Sequence, residues 1–511
     1  MKRLILILLL AAASALHAGA QVYVSTDKGS YVAGDRIWCS VFCAEGPAVA
    51  YLELISTDAV AARTRIDIRG GRGGGSIRLP LTIATGNYRL VAYTDPQKAA
   101  EAAGSGPVIS VYNTVLTERV KDGVEVVEAV EPTVATAQSG YGLSAEVAPD
   151  GIRVDNLSGQ PVSLSVSVYR DDSLEPASRA SIAGFVPGAP GPVAWGERLK
   201  AVAVGLDASQ TDGVAALLSV PGSQTDCYAA EAAEDGSYSF DTENIFGTCD
   251  VVCQLQGLPE GEQCHLELQN PFAGPFVDGV PKLRICRSQT EDLVRRGSAM
   301  LSGLSSDTLA VSVPMRREHF FLTHECVSYV LDDYTRFPTM EEVFVEITPF
   351  VKMRMRGGEP HIYALMKTSV TDGIPRWGDA VVMVDGVPVP DHRLIMNYDP
   401  AIVRSIDVYQ YRYRMGDRTF DGVVNLVTFK GNMPGLLFDD NVRIYAFEGC
   451  SLPQEHRGQE TLYWHPLVDL PAGASLPVAV DGFQAGVRYT VSVEGLTSGG
   501  RAVYFRKTFV R

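Results

Sequence analysis

The chain has 511 residues, and 46% of them are apolar, enough to build the cores of several domains of ordinary size. Its formal net charge is −16, and its sequence contains no stripe of Lys and Arg interleaved with aromatic residues. Such a chain would be repelled by a nucleic acid, itself an anion, so the composition argues against nucleic acid as a partner.

Residues 1 to 20 have the three parts of a secretory signal peptide. Lys2 and Arg3 form a basic start, residues 4 to 10 form an apolar core, and Ala18-Gly19-Ala20 forms a cleavage site. The apolar run is too short to cross a bilayer, and no apolar run of about 18 residues or more follows it. We therefore expect export with cleavage, and a mature chain without a transmembrane span.

The nine cysteines form no recognisable framework. Cys39 and Cys43 are four residues apart in a predicted strand, as are Cys249 and Cys253, and such positions lie about 13 Å apart, too far for one disulfide. Disulfides would therefore join different strands, with free buried thiols as the alternative. Because the count is odd, at least one thiol stays unpaired. Zinc-binding Cys-x2-Cys knuckles are absent from the sequence, and we expect no metal and no other cofactor.

Residues 21 to 115 alternate short apolar runs with Gly, Asp and Pro turns, which predicts a β-sandwich. Thr26-Asp27-Lys28, Tyr31 and Gly34-Asp35 follow the first of these runs. This T-D-K-x-x-Y-x-x-G-D signature resembles the macroglobulin MG2 domain, and the resemblance implies mostly structural roles for its residues. Residues 70 to 75 (GGRGGG) lack the Lys-Ser/Thr of a phosphate-binding loop and are predicted to be a flexible turn.

Residues 116 to 140 show no clear period and are predicted to be a linker. Residues 141 to 270 are predicted to be a second β-sandwich region, in which residues 235 to 240 form a turn and an alternating strand. The region resembles, in part, the carboxypeptidase regulatory-like sandwich. Residues 271 to 350 are predicted to be a mixed connecting region with one helix at 339 to 348, because Thr339 and Glu342 make a capping box.

Residues 351 to 435 contain three linked segments that predict a small α+β unit. Residues 380 to 384 form a strand that ends at Asp385-Gly386, a dipeptide suited to a tight hairpin turn. Asp399-Pro400 predicts the start of a helix, since Asp caps free amides and Pro fits the first turn. Residues 422 to 429 are rich in β-branched side chains and predict a last strand.

The segments VVMVDGVPV (381 to 389), DPAIVRSIDVY (399 to 409) and GVVNLVTFKG (422 to 431) resemble the plug domain of TonB-dependent outer-membrane receptors, especially those of Bacteroidetes. One departure is QYRYRMGDRTF, which stands where that family carries a Gly/Ala-rich turn. Only residues 432 to 511 follow, whereas a receptor barrel of about 22 strands needs several hundred residues. We therefore expect a plug-like domain without the β-barrel, in a chain that is not a transporter by itself.

Residues 436 to 511 are predicted to be a C-terminal sandwich, because residues 459 to 511 alternate with period two. Its TLYW opening and its VEG motif resemble the closing macroglobulin/Ig-like domain of the same protein group. The predicted fold class is thus mainly β: tandem β-sandwich (macroglobulin/Ig-like) domains plus one small α+β plug-like domain.

The sequence lacks the G-x-S-x-G, H-E-x-x-H and Walker A motifs, so we expect no enzyme. The resemblances imply an exported protein, in the periplasm or associated with the outer membrane, that binds or organises a protein partner there, with a β-barrel as one candidate partner. Two alternatives stay open: a hydrolase or protease-control factor, since macroglobulin-type domains occur near protease control, and a structural stalk.

One strand of the plug-like unit is the candidate partner-binding surface. Strand alternation places Tyr409, Tyr411 and Tyr413 on one face, with Arg412 and Arg414 on the other. Aromatic and Arg side chains are enriched in protein interfaces, which favours a binding role. The alternative is an edge strand that its charges protect from unwanted pairing.

Overall fold

The computed structural model describes residues 22–57, 59–130, 137–148, 150–222, 226–258, 263–306, 325–367, 376–415 and 418–511. The predicted signal peptide, residues 1 to 20, lies outside the described residues. In the described part of the chain strands predominate, as the mainly β prediction requires. A search of the same residues finds no helix with the length and apolarity of a membrane span.

The strands and helices are numbered in chain order. The first eight strands are β1 Val22–Thr26, β2 Ser30–Val32, β3 Arg36–Cys43, β4 Val49–Ile55, β5 Val60–Asp67, β6 Arg72–Arg78, β7 Gly86–Tyr93 and β8 Val108–Tyr112. The next twelve are β9 Val124–Val126, β10 Ala137–Ser139, β11 Leu143–Ala148, β12 Gly151–Asn156, β13 Val162–Arg170, β14 Arg198–Val204, β15 Ala215–Val220, β16 Asp226–Glu231, β17 Ser237–Asp241, β18 Thr248–Gln256, β19 His265–Leu268 and β20 Leu283–Ile285.

The remaining strands are β21 Cys326–Val330, β22 Val351–Arg356, β23 Glu359–Met366, β24 Arg376–Asp379, β25 Val381–Val384, β26 Val387–Pro388, β27 Val403–Met415, β28 Arg418–Thr428, β29 Val442–Glu448, β30 Cys450–Ser451, β31 Thr461–Leu470, β32 Ser475–Ala479, β33 Arg488–Thr497 and β34 Ala502–Val510. The α-helices are α1 Ala99–Ala102, α2 Thr290–Ser306, α3 Met340–Glu346 and α4 His392–Met396. The described 3₁₀ helices are Pro96–Lys98, Ala208–Gln210, Arg287–Gln289, Leu331–Asp333 and Pro400–Ile402.

The first sandwich packs the sheet β1-β3-β6 against the sheet β2-β8-β7-β4-β5, and its core includes Tyr31, Ile37 and Leu52. The short strand β30 adds to this sandwich in parallel with β5, although it comes from the far end of the chain. The prediction of a flexible turn over the glycine-rich run is wrong for Gly74 and its neighbours, which lie inside β6. Glycine is needed at Gly74, since a Cβ there would lie 2.6 Å from the Cβ of Pro466 on β31.

The second sandwich corrects the predicted domain boundaries. Its sheets are β10-β34-β33-β13-β31 and β11-β12-β32, so strands from the predicted second and C-terminal sandwiches, 141 to 270 and 436 to 511, share one core. Strand β13 lies between β31 and β33, with Val166 opposite His465 on one side and Val493 on the other. The prediction of a separate C-terminal sandwich is therefore wrong, because these strands complete a domain that begins near residue 137.

The third sandwich is inserted between β13 and β31 of the second. It packs β17-β14-β19 against β16-β15-β18-β29 around a core that includes Leu218, Phe240 and Val251. The predicted linker, residues 116 to 140, also contains regular structure: β9 pairs in parallel with β20, and β10 pairs with β34.

The fourth domain is inserted in turn between β19 and β29. It packs the sheets β21-β27-β28-β25-β26 and β22-β23-β24 around Phe344, Ile362, Leu426 and their neighbours, with α3 and α4 against them. Thr339 caps α3, which is shorter at both ends than the helix predicted at 339 to 348. Asp399 also caps, but the helix predicted to start there is a single 3₁₀ turn, Pro400–Ile402, which leads directly into β27.

The predicted turn at Asp385-Gly386 connects β25 to β26, and both residues have positive φ, 49° and 83°. Asp385 is buried, and its carboxylate accepts hydrogen bonds from the amides of Thr428 (2.7 Å) and Met433 (2.8 Å). An aspartate tolerates the left-handed region better than most residues, and here its side chain also joins the turn to β28.

Candidate functional site

The predicted partner-binding strand is β27, and its tyrosines contact another domain of the same chain. Tyr409 and Tyr413 are buried, and their rings meet edge to face with centroids 6.4 Å apart. They pack with Met383 and Val423 of their own domain and with Leu217 of the third sandwich. Tyr411 is partly buried against the same cluster. The third sandwich therefore covers Tyr409 and Tyr413 of the predicted binding surface, and a partner-binding role for the strand stays a prediction.

The strict alternation predicted for this strand is interrupted. A shift in register falls between Tyr409 and Arg412, where two residues of β27 oppose one of β28, as in a β-bulge. Arg412 is exposed and its Nε lies 2.7 Å from a carboxylate oxygen of Asp421. Arg414 is exposed as well. A partner-binding role for Arg412 and Arg414 stays a prediction.

Hydrogen bonds reinforce this contact between the third sandwich and the fourth domain. The side-chain amide of Gln254 donates to the carbonyl of Pro388 at 3.0 Å, and the amide of Gly222 donates to the carbonyl of Asp385 at 2.9 Å. Both bonds reach the β25–β26 hairpin, so the turn predicted from sequence is also a point of domain contact.

A second junction, between the first and second sandwiches, is polar and centred on Asp27. This residue of the T-D-K signature is completely buried. Its carboxylate accepts from the Tyr31 hydroxyl (2.6 Å), the Trp38 amide (3.1 Å) and, across the junction, the Thr461 hydroxyl (2.5 Å). Burial by itself would raise the pKa of Asp27, but the Lys28 charge and these hydroxyl donors outweigh it and lower the pKa.

Helix α2 joins this junction through Arg296, which is only 2% exposed. The guanidinium binds Asp172 at two points, 2.6 and 2.7 Å, and Glu175 at 3.0 Å. It also donates to the Ser30 carbonyl at 3.0 Å. Asp172 and Glu175 lie in the segment after β13, whereas Ser30 lies in the first sandwich. One side chain therefore ties α2 to both sandwiches.

Arg296 is the residue of this site that sequence reasoning missed, because residues 288 to 322 contain no interpretable motif. A signal is nevertheless present in α2. Leu293, Arg296 and Met300 follow helical spacing, and Leu293 and Met300 pack in one apolar cluster. An arginine within the apolar face of a helix indicates a buried charge that needs a carboxylate partner.

One cleft lies between the first and second sandwiches and has a volume of about 910 Å³. It is lined by residues 42 to 45, 70 to 72, 161 to 163, 186 to 188, 190, 469 to 471 and 496 to 500. Its charged lining residues are Glu45, Arg72 and Asp469, and the last two form an ion pair with each other. The cleft thus has a wall that consists mainly of glycine, proline and small side chains, with Glu45 as its charge outside that ion pair.

The described residues contain no group of three or more His, Cys, Asp and Glu side chains placed to hold a metal ion. None of the nine cysteines forms a disulfide, and six of them are buried. Of the two alternatives that the spacing left open, disulfides between strands and buried thiols, the structure has thiols. Burial raises the pKa of Cys43 and of Cys253 to about 12, so both are protonated thiols at neutral pH.

Comparisons with known proteins give structural neighbours but no family. No family model matches the chain, and no curated protein matches its sequence. A mutant of Salmonella alpha-2-macroglobulin superposes at 10% identity and TM-score 0.23, covering 96% of this chain and 40% of that one. Escherichia coli alpha-2-macroglobulin activated by porcine elastase gives 10% identity and TM-score 0.22, with 96% and 43% covered.

A tetra-tandem repeat from the extending region of a large adhesion protein also superposes, at 8% identity and TM-score 0.14, with 96% of this chain and 98% of that one covered. The chain spans about two fifths of the length of the two alpha-2-macroglobulin chains. At these TM-scores the likeness carries no argument, and the architecture rests on the strand pairings of this chain alone.

Proposed function

We propose that the chain is an exported, non-catalytic binding or scaffold protein of the bacterial cell envelope. The observation that carries this proposal is the nested path of the chain. The third sandwich is inserted into the second, and the fourth domain is inserted into the third. Two chain segments therefore connect each inserted domain to its host. Buried contacts at Arg296 and at Tyr413 fix the domains further. A scaffold needs surfaces held at fixed positions, which this arrangement supplies.

The lining of the cleft between the first and second sandwiches supports a binding role over a catalytic one. Catalytic sites cluster titratable side chains whose pKa values are shifted by their neighbours. In this cleft Arg72 and Asp469 neutralise each other, and Glu45 is the remaining charged residue of the lining. A ligand there would meet mostly backbone, proline and small apolar side chains.

The finer assignment rests on the sequence motifs. The T-D-K signature supports a macroglobulin-like first sandwich, and residues 381 to 431 support a relation to the plug domains of Bacteroidetes TonB-dependent receptors. With that relation, a β-barrel protein of the outer membrane is the partner we propose. The signal-peptide pattern of residues 1 to 20 supports export to the periplasm or the outer membrane.

Export is tested by producing the full chain with a C-terminal tag in a Gram-negative host and fractionating the cells. We expect the tagged chain in the osmotic-shock or membrane fraction, with a new N-terminus at Gln21. Leu8→Arg, which places a charge in the apolar core of the signal, is the matched control and should stay in the cytoplasm. Recovery of the unprocessed wild-type chain from the cytoplasm would contradict the proposal.

Scaffolding is tested on the purified mature chain by small-angle X-ray scattering. We expect the scattering curve to match the one calculated from the interlocked domains. A radius of gyration well above the calculated value would mean that the domains move independently, and the scaffold proposal would then fail even if export held.

A further inference from the structure

The sheet β22-β23-β24 of the fourth domain has one buried face and one outward face. Val351 on β22 and its cross-strand partner Ala364 on β23 belong to the domain core, as does Ile362. Alternation then places Lys352, Arg354 and Arg356 together on the outward face. The sequence therefore puts three basic side chains in a row on a strand whose other face holds the domain together.

Strand β22 is also an edge. In the described part of the chain, its one strand partner is β23, so the hydrogen-bonding groups along its other side pair with no described strand. Met355 is 62% exposed near the end of the strand, and Arg354 and Arg356 are exposed too. An open edge of this kind is a template for the backbone of another strand.

The charges of this edge are not neutralised within the described residues. Neither Arg354 nor Arg356 has a carboxylate within ion-pair distance there. Glu359, which lies opposite Arg356, is instead 3.3 Å from Arg393. The Lys352 ammonium lies 3.8 Å from the ring centroid of Trp377, which is 37% exposed and belongs to β24. The face thus offers two cations and a partly exposed indole, in a chain whose net charge is −16.

We propose that β22 binds an extended acidic segment of a partner polypeptide, which adds to the sheet as a fourth strand. Backbone hydrogen bonds along the free edge would supply affinity, and carboxylates at every second position of the segment would lie beside Arg354 and Arg356. The proposal rests on the proposed binding function and names the chemical class of the partner.

The observations favour this occupant over two others. A second copy of the chain pairing through β22 would place arginines beside arginines, which is unfavourable. A polyanion without a peptide backbone, such as polyphosphate, would satisfy the cations but would leave the backbone groups of the edge unpaired. Charge complementarity and the open edge together therefore point to a peptide.

The test measures binding of a fluorescent peptide, with Glu alternating with Val and Thr, to the mature chain by anisotropy. The variant Arg354→Glu/Arg356→Glu should weaken binding by at least about tenfold. The matched control Lys98→Glu/Arg287→Glu changes the charge equally at two exposed positions outside the fourth domain and should stay within about twofold.

A peptide of the same charge with Pro at alternate positions separates strand addition from simple charge attraction, because Pro cannot donate to a ladder. We expect it to bind at least about tenfold more weakly than the parent. In hydrogen exchange, the parent peptide should protect the amides of residues 352 to 356. Equal binding of the Pro peptide, or equal competition by polyphosphate, would overturn the proposal, as would absence of binding. None of these outcomes depends on export or domain rigidity, so they are distinguishable from failure of the proposed function.

Discussion

Two of the domain junctions in this protein are held by opposite means. Between the first and second sandwiches, buried charges such as Asp27 and Arg296 contact their hydrogen-bond and ion-pair partners. Between the third sandwich and the fourth domain, the contact is mainly apolar, with Tyr409 and Tyr413 against Leu217. A buried ion network fails when any one member is removed, whereas an apolar contact loses stability in proportion to the area removed. The first junction should therefore be all-or-none and the second graded.

The largest expected loss of stability comes from substituting Arg296 on α2, and its neighbour Arg295 serves as the comparison. Arg296→Met leaves Asp172 and Glu175 buried without their main cation and should lower the free energy of unfolding by about 3 to 5 kcal/mol. Arg295 also pairs with Asp172 but is 24% exposed, so Arg295→Met should cost about 1 to 2 kcal/mol, since water screens part of its charge. Urea unfolding followed by tryptophan fluorescence measures both. Equal losses for the two variants would mean that burial of the ion pair does not decide the effect.

The apolar junction is tested by two adjacent residues of β27. Tyr413→Ala removes a buried ring from the contact and should lower the free energy of unfolding by about 2 to 4 kcal/mol. Arg412→Ala removes an exposed ion pair with Asp421 and should change it by less than about 0.5 kcal/mol. Tyr413→Phe keeps the ring, so if packing area is the cause, its free energy of unfolding should stay close to that of the wild type. A larger loss in Arg412→Ala than in Tyr413→Ala would show that the charged edge, not the buried face, stabilises this strand.

A smaller loss of stability is expected at the first junction, where β6 and β31 lie in close contact. Even a Cβ at Gly74 would lie 2.6 Å from Pro466, so the larger side chain of Gly74→Val forces β6 and β31 apart. We expect this to lower the free energy of unfolding by about 1 to 3 kcal/mol. Gly104→Ala is the control, since a Cβ there meets no atom within 4 Å. If Gly74→Val unfolds at the same urea concentration as the wild type, the sandwiches are not in tight contact along β6.

The sequence predicts the features of this molecule that depend on neighbouring residues. The hairpin at Asp385-Gly386 and the cap at Thr339 are both present, because a turn or a cap needs only a few consecutive residues of the right kind. Which strand pairs with β13 is not a local property: both partners, β31 and β33, lie far along the chain, and alternation on β13 suits many partners equally. Strands of two predicted sandwiches therefore share one core.

The same distinction applies to the candidate site. Three tyrosines at alternate positions predict a face with a partner, but they do not say whether that partner is another protein or another domain. Here the third sandwich covers Tyr409 and Tyr413. The Arg296 network combines residues of α2, β2 and the segment after β13, and no pattern within one segment could have brought them together.

The smallest expected effect is a pH dependence of the free energy of unfolding that arises at the polar junction. Asp171 borders this junction, and burial raises the pKa of its carboxyl to about 6, although Arg488 lies 3.2 Å away and partly opposes the shift. In the unfolded chain the pKa returns to about 3.9. Between these values the folded state binds more protons, so the contribution of Asp171 to stability falls as pH rises from about 4 to about 6 and is then constant.

Asp171→Asn removes this titration. Relative to the wild type, its free energy of unfolding should rise by about 1 to 2 kcal/mol between pH 4 and pH 7. Asp235→Asn is the control, because hydrogen bonds from Ser237 lower the pKa of this exposed carboxyl, so the relative stability of that variant should change in the opposite direction. A flat difference for Asp171→Asn would mean that the pKa of Asp171 is the same in the folded and unfolded chains, so that Arg488 fully offsets the effect of burial.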